Sequence, residues 1–234
     1  MTAGEDVGEL PLSEFEELAT ARLDPAVLDY VQRGSGDEHT LARNREGWLE
    51  VELRPRVLAA VGTPDLSVEV LGKRRATPLF AAPTALNAMV HPDGEAAVAR
   101  AAATAGAAAY CLSTAAAIDA AELTAAAPRG PHWQQLYLLR DRGVTRDQVA
   151  AAAAAGFEAL VLTVDTPVLS LRDHDARSGV TAKTVVGGGA STPASPADFV
   201  ALLDPTLSWD DLAELVADSP LPVIVKGIVR GDDA

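Results

Sequence analysis

Two rhythms of apolar and polar positions divide the chain. Residues 9–60 carry a helical pattern. Within it, "SEFE" at residues 13–16 has the form of a capping box, and "DPAVLDYV" opens with an Asp-Pro pair suited to a helix start. Gly34 and Gly36 close that second helix, and "HTLARNREGWLEVEL" predicts a third that runs into an extended segment. The stretch "DLSVEVLGKRRATP" alternates and turns like a small hairpin.

From Leu79 the rhythm changes. The short apolar runs "PLFAAPT", "AAAYCLS", "HWQQLYLL", "EALVLTVD" and "LPVIVKG" predict strands, and alanine-rich amphipathic stretches between them predict helices. Thr145 and Gln148 form a second candidate capping box, and Gly106 and Gly156 stand where helices end. Strand–helix units repeated roughly every 25–30 residues predict a parallel sheet with helical crossovers. Residues 170–206 break the rhythm. They are polar and rich in Gly, Ser and Pro, the composition of a lid-like loop or a disordered insertion. The expected organisation is a helical extension and small hairpin over residues 1–75, then an α/β domain over residues 76–234. Its sheet is either doubly wound or a (β/α)8 TIM barrel, here with about five of the eight units.

Composition narrows the functional classes. The 234 residues carry a net charge of −14, which argues against general nucleic-acid binding but leaves room for a local basic pocket. Apolar residues make up 48% of the chain, enough for a sizeable core, and much of this is alanine, which favours close packing. One cysteine, Cys111, excludes an internal disulfide and points to a reducing, cytoplasmic setting. The N-terminal "MTAGEDVGELPLSEF" lacks the apolar core of a signal peptide, and no run approaches the ~20 apolar residues of a membrane span. No metal site is expected.

Barrel active sites lie where strands end. The predicted strand ends carry Thr84, Ser113, Gln135 and Tyr137, Thr163 and Asp165, and Lys226. One such residue is ordinary as a helix cap or backbone partner; five strand ends in succession predict a shared site. No glycine-rich dinucleotide fingerprint or phosphate loop follows the first strand, which counts against a Rossmann arrangement.

The stretches "DYVQRGSGDEHTLARNREGW", "LRPRVL", "APTALNAMVHPDGEAAVARAAATAG", "QLYLLRDR", "GFEALVLTVDTP" and "LPVIVKGI" together resemble the FMN-dependent 2-hydroxy-acid oxidases and dehydrogenases: glycolate oxidase, lactate oxidase and the mandelate-oxidising enzymes. They follow the family's order from Leu10 onward. The resemblance implies a TIM barrel of the FMN-linked type and oxidation of a 2-hydroxy acid to a 2-keto acid. It places Ala82, Pro83, Thr84 and Ala85 beside the flavin ring. Ser113, Gln135 and Thr163 would hydrogen-bond that ring, and Lys226 would face the edge where reduced flavin carries negative charge. Tyr30 and Tyr137 match the substrate-binding tyrosines. Asp165 matches the aspartate that orients a catalytic histidine. Arg172 matches the second arginine of a run that is otherwise replaced here by "VLSLRDHDARSG".

Plainer readings exist for several of these residues. Lys226 fits a surface position after a strand, Asp165 a turn or cap, and Tyr30 an amphipathic helix face. His91 reads as a helix cap, His174 as a solvated loop residue and Cys111 as a small buried one. Ala115 is small where some family members carry a bulky aromatic, which implies a wider pocket and a larger or aromatic acid. The family pattern continues with three further units that bear the base histidine, the carboxylate-clamping arginine and the phosphate site. On this reading residues 1–234 are an N-terminal portion, not competent alone. They would act with a small 2-hydroxy acid, as a homo-oligomer or with a complementary chain. Two alternatives stay open: a non-catalytic or split half-barrel, and a Schiff-base barrel lyase built on Lys226.

Overall fold

A computed structural model describes residues 10–60, 62–166 and 196–234. Two compact units divide the chain after Pro55. The first holds three helices, α1 (Leu12–Arg22), α2 (Pro25–Gln32) and α3 (His39–Leu49). Asp24 caps α2 as expected: its carboxylate accepts the Ala26 N–H at 2.8 Å, with Pro25 in the first turn. The expected box at residues 13–16 does not form. Helix α1 starts after Pro11 without a side-chain cap, so Ser13 lies inside it.

The second unit opens with the predicted hairpin, β1 (Val68–Val70) paired antiparallel with β2 (Lys73–Arg75). Five strands follow: β3 (Phe80–Ala81), β4 (Ala109–Leu112), β5 (His132–Leu136), β6 (Ala159–Thr163) and β7 (Val223–Lys226). They form one sheet in the order β3-β4-β5-β6-β7, every pair parallel. A doubly wound sheet reverses its order at a switch point. This one advances by a single neighbour at each crossover, the progression of a barrel wall. The second unit is therefore part of a β/α barrel.

Helices α4 (Gly94–Thr104), α5 (Ala120–Ala126) and α6 (Arg142–Ala154) make the first crossovers. Gly106 and Gly156 end α4 and α6 with φ of 71° and 81°, as expected from their place in the chain. Thr145 and Gln148 do not cap α6. Asp141 does, accepting the Gly143 N–H at 2.8 Å, which starts the helix almost one turn earlier. Both expected cap residues are buried, and Thr145 accepts the Leu139 N–H instead. Between β6 and β7 lie α7 (Pro196–Leu202) and α8 (Trp209–Asp218). Residues 196–202 of the expected 170–206 loop are thus helical, because "ADFVAL" offers an apolar face; Phe199, Val200 and Leu202 pack about Leu139 and Leu203. Residues 170–195 lie outside the described residues.

The strands' period of two sorts their side chains onto two faces. Tyr110, Leu112, Leu136, Leu160 and Leu162 meet the helices, packing with Ala99, Leu123, Val149 and Ala152. Ala109, Cys111, Trp133, Ala159 and Val161 form a second layer on the opposite face, with Val70 of the hairpin and Ile224 against it. Burial accounts for most of the stabilisation: each buried leucine contributes about 1.5–3 kcal/mol. The hairpin is anchored by Glu158, which receives hydrogen bonds from Lys73 (2.8 Å) and from Arg75.

Candidate functional site

The same alternation that builds the second apolar layer delivers a polar row at its C-terminal end. Ser113 lies two residues beyond Cys111, Gln135 two beyond Trp133, Thr163 two beyond Val161 and Lys226 two beyond Ile224. Each therefore shares a face with the apolar residue below it. The register agrees: Gln135 pairs with Val161, Val161 with Ile224, and Thr163 with Lys226.

Ser113, Gln135 and Thr163 are buried and linked by hydrogen bonds. The Gln135 side chain is the hub. Its Oε1 accepts the Thr114 N–H at 2.8 Å and the Ser113 hydroxyl at 3.5 Å, and its Nε2 donates to Thr163 Oγ1 at 3.0 Å. Thr114 locks the other side by donating its hydroxyl to the Gln135 carbonyl at 2.7 Å. Thr114 is 1% exposed and was not singled out from sequence; its only signal there is its place beside Ser113.

Lys226 meets Asp165 at the mouth of β7, with Nζ 3.2 Å from Oδ1 and 3.5 Å from Oδ2. Their side chains are 40% and 45% exposed, so the pair is screened and contributes at most about 1 kcal/mol to stability. The approach depends on Gly227. Its φ is +118°, and a Cβ there would lie 2.5 Å from the Asp165 Cβ and 2.7 Å from its Cγ. Asp165 thus has a lysine as its charged partner, not a histidine, among the described residues.

Tyr137 follows β5 and stacks edge-on against Phe199 of α7 at 5.6 Å. Burial raises its phenol above the ordinary value, the hydrogen bond with Thr166 works the other way, and the charge of Asp165 adds to the rise. A cavity of about 310 Å3 opens at this end of the sheet, lined by Tyr137, Thr163, Thr166 and Gly227 with Leu203 and Trp209. Cys111, in the layer below the row, is a buried thiol pushed up to about 12 by loss of solvation.

The loop after β3 contains Ala82, Pro83, Thr84 and Ala85, of which all but Pro83 are exposed. Asn87 braces it, its Nδ2 donating to the Thr84 carbonyl at 2.9 Å. The loop meets the one after β4 where the Leu86 N–H donates to the Ala115 carbonyl at 3.4 Å. Ala115 is half-buried, and its own N–H donates to Ser113 Oγ at 3.1 Å. His91 accepts the Asp93 N–H in the turn before α4. The structure therefore gathers Ser113, Gln135, Thr163, Asp165 and Lys226 into one strand-end group with Tyr137 beside it. Tyr30 is half-buried on α2 in the helical unit. Arg172 and His174 lie outside the described residues.

The residues can do three things. The row offers hydroxyl and amide groups that both donate and accept along one line. Lys226 supplies a fixed positive charge at its end. Tyr137 supplies a phenol that stays protonated at neutral pH.

A family model described as FMN-dependent dehydrogenase matches residues 19–234. The chain is 41% identical to an L-lactate oxidase of Nostoc sp., covering 95% of this chain and 65% of that protein. It is 36% identical to 2-hydroxyacid oxidase 1 of Mus musculus, covering 95% and 64%. Among solved structures, a lactate oxidase of Pediococcus acidilactici superposes with a TM-score of 0.84 at 28% identity, covering 96% of this chain and 61% of that one. A soluble mutant of the membrane-associated (S)-mandelate dehydrogenase of Pseudomonas putida gives 0.84 at 30% identity, covering 95% and 65%. The chain spans under two thirds of the length of these relatives. Among its described residues no helix is long and apolar enough to cross a membrane.

Proposed function

Because this chain belongs to the FMN-dependent dehydrogenase family, we propose that its strand-end row holds the flavin ring of FMN in a protein that oxidises a 2-hydroxy acid to a 2-keto acid. The observation that carries the proposal is the alignment of Ser113, Gln135, Thr163 and Lys226 on one face, above a closed apolar layer. A flavin has a polar edge of alternating donors and acceptors and an apolar body, and this row and its setting suit both. When bound, FMN supplies the electron acceptor.

The chain's own residues take the remaining roles. Gln135, held by Thr114 and Thr163, presents an amide fixed in orientation. The Lys226 ammonium would stabilise negative charge on a ring bound along the row. Ala82, Pro83, Thr84 and Ala85 would line the ring. Tyr137 holds the substrate hydroxyl. The small Ala115 leaves room for a larger or aromatic acid side chain. Asp165 keeps Lys226 aimed. That same contact occupies the amine that the Schiff-base alternative would need free to meet a carbonyl.

Among the described residues the strand-end group offers no histidine to take the substrate's proton, so this group by itself is expected to bind FMN without turning over. Titrating FMN into the purified chain and adding lactate or mandelate under anaerobic conditions tests both parts. Flavin binding without bleaching of its absorbance is expected. Absence of binding defeats the flavin proposal, and rapid bleaching defeats the claim about turnover.

A further inference from the structure

We propose that Glu95 is a positioning residue for the site, tying the two loops above β3 and β4 to each other through one carboxylate oxygen. The proposal rests on the flavin reading above only for its consequence; the tie itself is geometric.

Glu95 is the second residue of α4 and is 1% exposed. Its buried neighbours on that helix are Gly94, Ala96 and Ala99, all small and uncharged. A buried carboxylate is costly unless it is hydrogen-bonded, so its presence at this position calls for partners. Both come from outside the helix. Oε1 accepts the Asn87 N–H at 3.2 Å and the Ala117 N–H at 3.3 Å. Asn87 belongs to the loop after β3, which carries Ala82, Pro83, Thr84 and Ala85. Ala117 belongs to the loop after β4, which carries Ser113 and Ala115.

The first loop is held against its own preference. Leu86 has a φ of 63°, the left-handed region, which is strained for a residue with a Cβ. Its neighbours over-determine that shape. Asn87 donates its N–H to Glu95 and its side-chain amide to the Thr84 carbonyl. Gly94 lets the helix start come close: a Cβ there would stand 3.1 Å from the Ala88 nitrogen. Glu95 is thus the anchor from which the Thr84 carbonyl is aimed, two bonds away. Without it, two amides in two loops lose their acceptor together, and the strain at Leu86 is free to relax.

The test uses the full chain and two readouts. Amide hydrogen exchange reads the loops, and FMN titration followed by flavin fluorescence reads the site. Glu95→Ala is expected to speed exchange at Asn87 and Ala117 together by about tenfold or more, and to weaken FMN binding by about tenfold. Glu95→Gln keeps an acceptor oxygen in place and is expected to restore both to within about threefold of wild type. Should Glu95→Ala not fold, Glu95→Met, which keeps the volume, gives the same comparison. Unchanged exchange at either amide overturns the assignment. So does fast exchange with FMN affinity unaltered in the folded fraction, the signature of a merely structural residue. If wild type binds no FMN, the flavin reading falls on its own, and exchange at Asn87 and Ala117 decides whether Glu95 couples the loops.

Discussion

The N-terminal and C-terminal ends of the five-stranded sheet use polar groups in opposite ways. At the N-terminal end, Glu158 holds Lys73 and Arg75 of the hairpin. Val70 packs against the apolar layer that includes Ala109, Trp133 and Ala159. Burial opposes ionisation of Glu158, yet its bonds from Lys73 and Arg75 outweigh that and hold the carboxyl below its usual range. At the C-terminal end the polar groups of the row bond one another, through Gln135, and the pair of Lys226 with Asp165 is nearly half exposed. The first arrangement seals a barrel floor; the second keeps donors and acceptors aligned with little gain in stability. One set of strands thus separates closure from chemistry by a distance of two layers.

That contrast can be broken at either end. The largest loss of stability is expected from Trp133→Ala, which removes the bulkiest side chain of the floor layer, 7% exposed and 5.0 Å from the Phe80 ring. Urea unfolding should show a loss of about 3–5 kcal/mol. A loss below about 1 kcal/mol would mean that the floor is not the stabilising end. Gln135→Leu comes next. It strips the Thr114 N–H and the Thr163 hydroxyl of their shared partner, with an expected cost of about 1–3 kcal/mol and at least about tenfold weaker FMN binding. A change in stability with FMN affinity intact would remove Gln135 from the site.

The smallest effect sharpens the floor alone. Glu158 has a folded value below its ordinary 4.5, so its contribution is present above pH 4.5 and lost as pH falls through the folded value. His132, buried beside Tyr110 and Phe157, is lowered from 6.5 by burial, against the pull of the Glu158 charge. A lowered histidine stabilises fully above pH 6.5 and loses that contribution as pH falls below it. Stability followed against pH should therefore decline in two limbs. Glu158→Gln is expected to cost about 1 kcal/mol at neutral pH, to flatten the lower limb and, by removing the charge that pulls His132 up, to lower the histidine's folded value further and deepen the upper limb. An unchanged lower limb would assign the acid sensitivity elsewhere.

Much of this architecture was legible in the sequence, because short apolar runs separated by alanine-rich stretches leave few alternatives to parallel strands with helical crossovers. All five strands lie within the segments expected, and the polar ends of β4 to β7 lie side by side, whereas Thr84 after β3 bonds only within its own loop. The helix starts were read less well. A Ser/Thr-x-x-Glu/Gln pattern also occurs inside helices, and at Thr145 a buried bond to Leu139 outcompetes the cap that Asp141 supplies instead. The partners of the site residues were not legible at all. Thr114 meets Gln135 across 21 positions and Glu95 meets Ala117 across 22. No local pattern encodes such pairings; they exist only once the strands are in register.

Cys111 gives the molecule a property of another kind. With its thiol at about 12, the reactive thiolate is only about one part in 10^5 at pH 7. The chain's single sulfhydryl is therefore chemically silent while β4 stays paired, and becomes reactive when the sheet opens. Its rate of labelling by a thiol reagent is a built-in clock for opening of the barrel wall, written by the protein without any added probe.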